Sequence, residues 1–246
     1  MRYSINMPYY NKTDFKYVLM SLYCNYKGRN DYEVVIIEDS KNTNGSHDSL
    51  MEAINEYKDK VNIKHLRVEN EGYMAVKLRN YGASQSNGDI IVLTGPDCMH
   101  FNSILNGLDE EYRNNDDKYV VCACRNVSLG GDKLAFDDFK YTEKEWYQHS
   151  VEMNRNYHFC NAIFKSRYIE LGGFDEEYNK GLWYDDDDFL NTVKKSGIPI
   201  IPRDDLITLH IDHDRSYQVG RNELRNINRL YYNKKWNKNV SRPPDD

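Results

Sequence analysis

Val34-Val35-Ile36-Ile37-Glu38-Asp39-Ser40 is a continuous β-branched run that breaks abruptly into acid and polar residues. Four apolar residues without alternation mark a strand covered on both faces, because a half-exposed strand alternates. The pattern recurs at Gly88-Asp89-Ile90-Ile91-Val92-Leu93-Thr94-Gly95-Pro96-Asp97. Segments of helical period separate such runs. Phe15, Val18, Leu19, Leu22 and Tyr23 fall on one helix face, with Thr13 or Asp14 to cap it and Gly28 to stop it. Leu50, Met51, Ile54 and Tyr57 outline a second helix, and Met74, Leu78 and Tyr81 a third, with Arg79 and Asn80 on a different face. Short strands are expected at Ser4-Ile5-Asn6-Met7, stopped by Pro8, and at Ile63-Lys64-His65-Leu66. The order up to Asp97 is therefore β-α-β-α-β-α-β. It predicts an α/β domain with a mainly parallel central sheet and helices on both sides. Ligands of such sheets bind beyond the carboxyl ends of the strands, where Tyr10, Asp39 and Asp97 fall.

The second half is less regular. Tyr119 to Cys124 reads as a strand whose Cys122 and Cys124 share a face and serve as core thiols. Residues 125–156 are polar, with a helix expected through Trp146. A strand is expected over His158 to Phe164 and a turn at Leu171-Gly172-Gly173-Phe174. Gly181-Leu182-Trp183-Tyr184-Asp185-Asp186-Asp187-Asp188-Phe189-Leu190 then sets four carboxylates between a tryptophan and an apolar helix start. Adjacent like charges need water, a cation or a substrate to offset them. Read alone, the run is either an acidic helix cap or a catalytic carboxylate beside a sugar-binding aromatic. Gly197 stops this helix, Pro199 and Pro202 bracket a short strand, and Leu206 to His210 forms the last strand. A polar helix follows through Ile227, Leu230 and Tyr231, and the Arg242-Pro243-Pro244-Asp245-Asp246 tail is expected to fray.

With 246 residues the chain can build one substantial core, and a single domain over 1–246 is expected. Hydrophobic residues make up 39% and charged residues 29%, which describes a soluble globular protein. The net charge of −6 argues against nucleic acid as the partner and suits a divalent cation. No apolar run is long enough to span a bilayer, and no signal peptide is visible. Cys24, Cys98, Cys122, Cys124 and Cys160 include no CxxC pair, so reduced thiols and a cytoplasmic location are expected. The Gly-rich signatures GxGxxG and GxxxxGK[ST] are missing, which counts against dinucleotide and P-loop enzymes. No GxSxG elbow supports serine hydrolysis. A phosphate-bearing ligand is then held most simply through a metal, for which Asp97 offers an oxygen and His210 and His213 offer nitrogens.

Pro8-Tyr9-Tyr10-Asn11-Lys12, Val35-Ile36-Ile37-Glu38-Asp39-Ser40, Arg79-Asn80-Tyr81-Gly82-Ala83 and the Gly88 to Asp97 stretch come in one order and spacing. Together they resemble the GT-A fold glycosyltransferases, especially the family 2 type. Gly172-Gly173-Phe174-Asp175 and the Trp183 to Phe189 block resemble the same enzymes. That block is also similar to the Trp-Gly-x-Glu-Asp-Asp-Asp segment of β-1,4-galactosyltransferases. The resemblance implies a Rossmann-like GT-A domain with a nucleotide-binding half (1–100) and an acceptor-binding half (101–246). It implies a metal-dependent inverting hexosyltransferase that moves a sugar from a UDP-sugar to a hydroxyl of a glycan, protein or lipid-linked acceptor. By the resemblance, Pro8 and Tyr10 line the uracil ring, Asp39 accepts its N–H, and Arg79 lies near the nucleotide. Asp97 matches the last Asp of the Asp-x-Asp motif and ligates Mn²⁺ or Mg²⁺, with His213, or alternatively His210, as a further ligand. Asp186 matches the catalytic base, Trp183 and Asp185 the acceptor site, while Asp187 reads as a solvated neighbour and Asp188 as a helix-starting residue.

Two positions depart from the pattern. Gly95 replaces the first Asp of Asp-x-Asp, which bears on ribose contact and donor choice, and Asp185 stands where Glu is common. The Gly95 substitution supports the alternative of a catalytically inactive GT-A domain that binds glycans or serves as a scaffold. Asp97, Asp186 and the two histidines count against it. A sugar-nucleotide nucleotidyltransferase would need a Gly- and Arg/Lys-rich N-terminal loop that Asn6-Met7-Pro8-Tyr9-Tyr10 does not provide.

Overall fold

The doubly covered strand anticipated at 34–37 sits second from the edge of the sheet, and both of its faces are packed. β1 (Tyr3–Tyr9), α1 (Phe15–Tyr26), β2 (Tyr32–Asp39), α2 (Asn44–Tyr57), β3 (Ile63–Val68), α3 (Ala75–Gln85) and β4 (Ile90–Thr94) follow in the expected order. The computed structural model describes residues 1–12, 14–69, 75–129, 141–157, 159–213 and 221–240. Thr13, Met74, His158 and the tail from Arg242 lie outside the described residues. The order β3-β2-β1-β4 is parallel throughout. Successive side chains of β2 feed opposite layers, as a pleated strand requires. Val34 and Ile36 pack with α1 and α2, while Val35 and Ile37 pack with Leu78 of α3. Burying each such side chain contributes roughly 1.5–3 kcal/mol.

Three expectations in this half change. β1 does not stop at Pro8 but runs through it to Tyr9. Pairing with β4 ends at Asn6, so beyond that point β1 is an edge on one side and tolerates the missing N–H. On α1, Tyr26 is fully buried and Tyr23 only partly. On α3, Tyr81 is 39% exposed, whereas Leu78, Arg79, Gly82 and Ala83 form the packed face. Gly82 is the reason: a Cβ there would come within 2.4 Å of Ile37 and 2.5 Å of Asn6 Oδ1. The helix therefore rests on the sheet through its smallest residue, and Arg79, three residues earlier, turns inward with it.

The second half adds β5 (Cys98–His100), α4 (Ile104–Glu111), β6 (Tyr119–Leu129), β7 (Tyr141–Gln148), β8 (Cys160–Phe164), α5 (Lys165–Glu170), a 3-10 turn (Glu176–Lys180), α6 (Asp185–Ser196), β9 (Ile200–Ile211) and α7 (Asn222–Trp236). The sheet continues β4-β8-β6-β9-β5, with β7 on β6. β8 is antiparallel to both neighbours, β6 and β9 are parallel, and β5 returns antiparallel on β9. The segment through Trp146 is the strand β7, not a helix. Its alternation is hidden because register shifts against β6 interrupt it. The separate strands around Pro202 and over 206–210 are one strand, β9. It absorbs the polar Asp204-Asp205 stretch where Cys122 pairs Arg203 and Ala123 already pairs Ile207. Cys98, Cys122, Cys124 and Cys160 are buried, Cys24 is exposed, and all five are free thiols.

Candidate active site

Asp97 lies in the turn that leaves β4, at the carboxyl edge of the parallel strands. β5 starts one residue later and pairs antiparallel with β9, setting Cys98 opposite His210. The Ile211 N–H donates to the Asp97 carbonyl at 2.8 Å, which fastens the turn to the end of β9. Consequently His210 Nε2 and His213 Nε2 each lie 3.5 Å from Asp97 Oδ2. Lys12 Nζ, in the loop after β1, is 2.6 Å from the same oxygen. Burial alone would push the Asp97 carboxyl up, but Lys12 and the two imidazoles outweigh it and hold the group well below the usual carboxylate range. One donor atom from each of Asp97, His210 and His213 falls within 4.8 Å of the others. One carboxylate oxygen with two imidazole nitrogens is a donor set that fits a divalent metal ion.

Gly95 and Asp97 depend on each other. A Cβ at position 95 would stand 2.5 Å from Asp97 Oδ1 and 3.2 Å from Cys98 Sγ. An acid at position 95 is therefore incompatible with the carboxylate as it lies, folded back over the turn toward the histidines. Gly95→Ala is expected to weaken Mn²⁺ binding by about tenfold, the lower end of what disturbing a ligand's support costs. Titration followed by electron paramagnetic resonance measures this, and an unchanged affinity would show that the carboxylate tolerates the methyl group.

Across the site stands the acidic run. α6 begins at Asp185, so all four aspartates occupy its first turn, where the helix dipole favours negative charge. The helical rotation then separates them. Asp185 Oδ2 accepts from Arg79 Nη1 at 3.3 Å, an ion pair that ties α6 to α3. Asp188 is not the helix-starting residue: it is 2% exposed and accepts from Trp236 Nε1 at 2.6 Å, Lys235 Nζ at 2.9 Å and the Tyr178 hydroxyl at 3.1 Å. Asp187 is partly buried. The approach to the helix is strained, since Trp183 and Tyr184 both have left-handed φ, at 65° and 68°. α7 holds it in place. Asn228 Nδ2 donates at 2.9 Å to the carbonyls of both Tyr178 and Trp183, and Leu182 N–H donates to Leu224 O at 3.1 Å. The Arg225 guanidinium sits 3.8 Å over the Trp183 ring centre, a cation–π contact that covers one face of the indole.

These two sides enclose a cavity of about 730 Å³, within the range of small-molecule sites. Its lining includes every residue singled out from sequence: Pro8, Tyr10, Asp39, Arg79, Asp97, Trp183, Asp185, Asp186, His210 and His213. Asp39, at the end of β2, is buried and accepts from the Lys41 N–H through Oδ1, and Tyr10 is 37% exposed. The cavity also takes in Lys12, Tyr147, Phe159 and Arg221, none of which was anticipated. Lys12 was visible as the last residue of the Pro8 to Lys12 segment. Tyr147 and Arg221 carry no local signal, because strand pairing and helix packing bring them here.

Residues 4–172 match the sequence model of the family described as Glycosyl transferase family 2. The chain belongs to this family. This family 2 glycosyltransferase is 30% identical over 95 residues to a chondroitin synthase from Escherichia coli, a match that covers 39% of the chain and 13% of the synthase. Among solved structures it is similar to residues 1–349 of S. aureus TarS in complex with UDP-GlcNAc, with a TM-score of 0.68 at 16% identity, covering 98% of this chain and 68% of that one. It is also similar to the mannosyltransferase PcManGT from Pyrobaculum calidifontis in complex with GDP-Man and Mn²⁺, with a TM-score of 0.67 at 17% identity, covering 99% and 66%. Against the longer TarS structure the chain spans 37% of that length. At such identities the structural likeness establishes the GT-A fold. Among the described residues no helix is long and apolar enough to cross a membrane. The family match ends before the acidic run and both histidines.

Proposed function

We propose that this family 2 glycosyltransferase is a metal-dependent inverting enzyme that transfers a hexose from a UDP-sugar to an acceptor hydroxyl. The observation that carries the reading is one cavity lined both by the Asp97–His210–His213 cluster and by Asp186, in the first turn of α6. In this reading residues 1–100 bind the nucleotide, with the uracil between Pro8 and Tyr10 and its N–H on Asp39. Asp97, His210 and His213 would hold a divalent ion, which would supply positive charge for the leaving diphosphate. Arg79 and Lys12 add fixed positive charge on the nucleotide side. Residues 101–246 present the acceptor, with Trp183 against its apolar ring surface. Asp185 divides its hydrogen bonding between Arg79 and an acceptor hydroxyl.

Asp186 takes the proton of the attacking hydroxyl, whose own acidity is far too weak to supply an alkoxide at neutral pH. Attack comes from the face opposite the leaving group, so a single displacement inverts the anomeric carbon without a sugar–enzyme adduct. Neighbours of the same fold bound to UDP-GlcNAc and to GDP-Man with Mn²⁺ support the donor class. The test is a panel of UDP- and GDP-sugars with Mn²⁺ and glycan acceptors, read as released nucleoside diphosphate and by NMR of the new anomeric proton. UDP release with inverted configuration is expected. Retention would sink the single displacement, and calorimetry showing no bound nucleotide sugar with metal present would favour a glycan-binding scaffold.

A further inference from the structure

A helix was expected through Trp146, yet the segment is the strand β7, which sets Glu145 against Asn126 and Tyr147 against the His210 ring. Asn126 is the parallel-register partner of His210, one strand over on β6, and both are buried. Asn126 Oδ1 lies 2.9 Å from His210 Nδ1. The other end of the amide settles which atom is which. Asn126 Nδ2 donates to Glu145 Oε1 at 3.1 Å, and a carboxylate accepts hydrogen bonds rather than donating them. With the NH₂ committed to Glu145, the oxygen faces the imidazole, so Nδ1 carries a hydrogen and donates. That leaves Nε2, on the opposite side of the ring, toward Asp97.

The pairing of β7 with β6 is built for this. Arg125 pairs Trp146 while Val127 pairs Glu143, and Cys124 pairs Gln148, so β7 carries extra residues on both sides of Trp146. Bulges re-aim side chains that simple alternation would send to opposite faces. Here Glu145 reaches Asn126, Lys144 pairs with Asp212, and the Tyr147 ring lies 4.8 Å from the His210 ring. Phe159 closes the cage at 6.0 Å.

We propose that Asn126, oriented by Glu145, is a positioning residue that fixes the ring orientation and tautomer of His210 so that Nε2 serves as a ligand for the divalent ion. The inference rests on the metal reading of the Asp97 cluster and goes one shell beyond it. Outer partners of ligating histidines typically matter by about 10- to 100-fold in metal affinity. Asn126→Leu, which keeps the bulk and removes the acceptor, is expected to weaken Mn²⁺ binding by at least about tenfold. Asn126→Asp combined with Glu145→Gln keeps an acceptor for Nδ1–H without setting two carboxylates together, and should stay within about threefold of the native affinity. Glu145→Ala, at an exposed position with little bearing on folding, frees the amide to flip and should cost about threefold, the scale of one net hydrogen bond.

Mn²⁺ titration of the whole chain by electron paramagnetic resonance reads all three, with thermal melts reporting folding separately. If Asn126→Leu and the Asn126→Asp/Glu145→Gln pair weaken binding equally, only packing volume matters and the proposal fails. It fails also if Asn126→Leu and Glu145→Ala both retain the native affinity. A native protein that binds no Mn²⁺, with or without UDP, overturns the metal reading itself and this inference with it. That result is distinct because it appears before any substitution is made.

Discussion

Asp186→Asn is expected to lower sugar transfer by about 10²- to 10⁴-fold, the usual worth of a positioned general base, while the KM for the nucleotide sugar stays near its native value. The amide keeps the size of the carboxylate but replaces one accepting oxygen with a donating NH₂, and it cannot take the acceptor's proton. Asp186 lines the cavity, partly buried in the first turn of α6. Asp188→Asn, two residues on, is the informative contrast. Asp188 faces the Trp236, Lys235 and Tyr178 donors rather than the cavity, so its loss should appear in stability. A cost of about 1–3 kcal/mol is expected for leaving such buried partners poorly paired. Steady-state kinetics with denaturant melts separates the two. Equal kcat for native protein and Asp186→Asn would move the base elsewhere in the cavity.

Removing the divalent ion should be nearly as severe. Chelation, or Asp97→Ala, is expected to weaken UDP binding by about 10²-fold or more, because a divalent ion held at this cluster would supply several kcal/mol of charge stabilisation to the diphosphate. Asp97 is the one carboxylate on which His210, His213 and Lys12 all converge. Its removal leaves three basic groups around a gap, and these still attract the diphosphate by charge alone. Residual UDP binding in the variant should therefore be salt-sensitive and indifferent to chelator. Calorimetry of native and Asp97→Ala protein, each with Mn²⁺ and with chelator, completes the cycle. If chelator leaves native UDP affinity unchanged, the ion has no part in holding the nucleotide.

The alternation of strand and helix was legible up to Asp97 because each element there depends on its own residues. Val34 to Ile37 needs cover on both faces wherever it lies, and Phe15, Val18, Leu19 and Leu22 form one apolar stripe in any setting. β7 was illegible for a physical reason as well. Its bulges interrupt the alternation by which a strand is recognised, and its side chains go to separate partners, Lys144 to Asp212, Glu145 to Asn126 and Tyr147 to the His210 ring. Arg79 was misplaced on its helix because the packed face of α3 is chosen by the small Gly82, not by the large Tyr81.

By itself the sequence determined the α/β class, the strand ends that carry Tyr10, Asp39 and Asp97, and the presence of an acidic turn beside a tryptophan. Those are local matters of periodicity and residue chemistry. Only the tertiary structure decided that Asp97 shares its oxygen with Lys12, His210 and His213. That meeting requires β5 to pair antiparallel with β9 across more than a hundred residues of chain. It likewise decided that, of the four adjacent aspartates, Asp185 pairs with Arg79, Asp186 lines the cavity and Asp188 is buried against α7. Four like residues in a row carry no local distinction. The turn of the helix and the partners packed around it supply one.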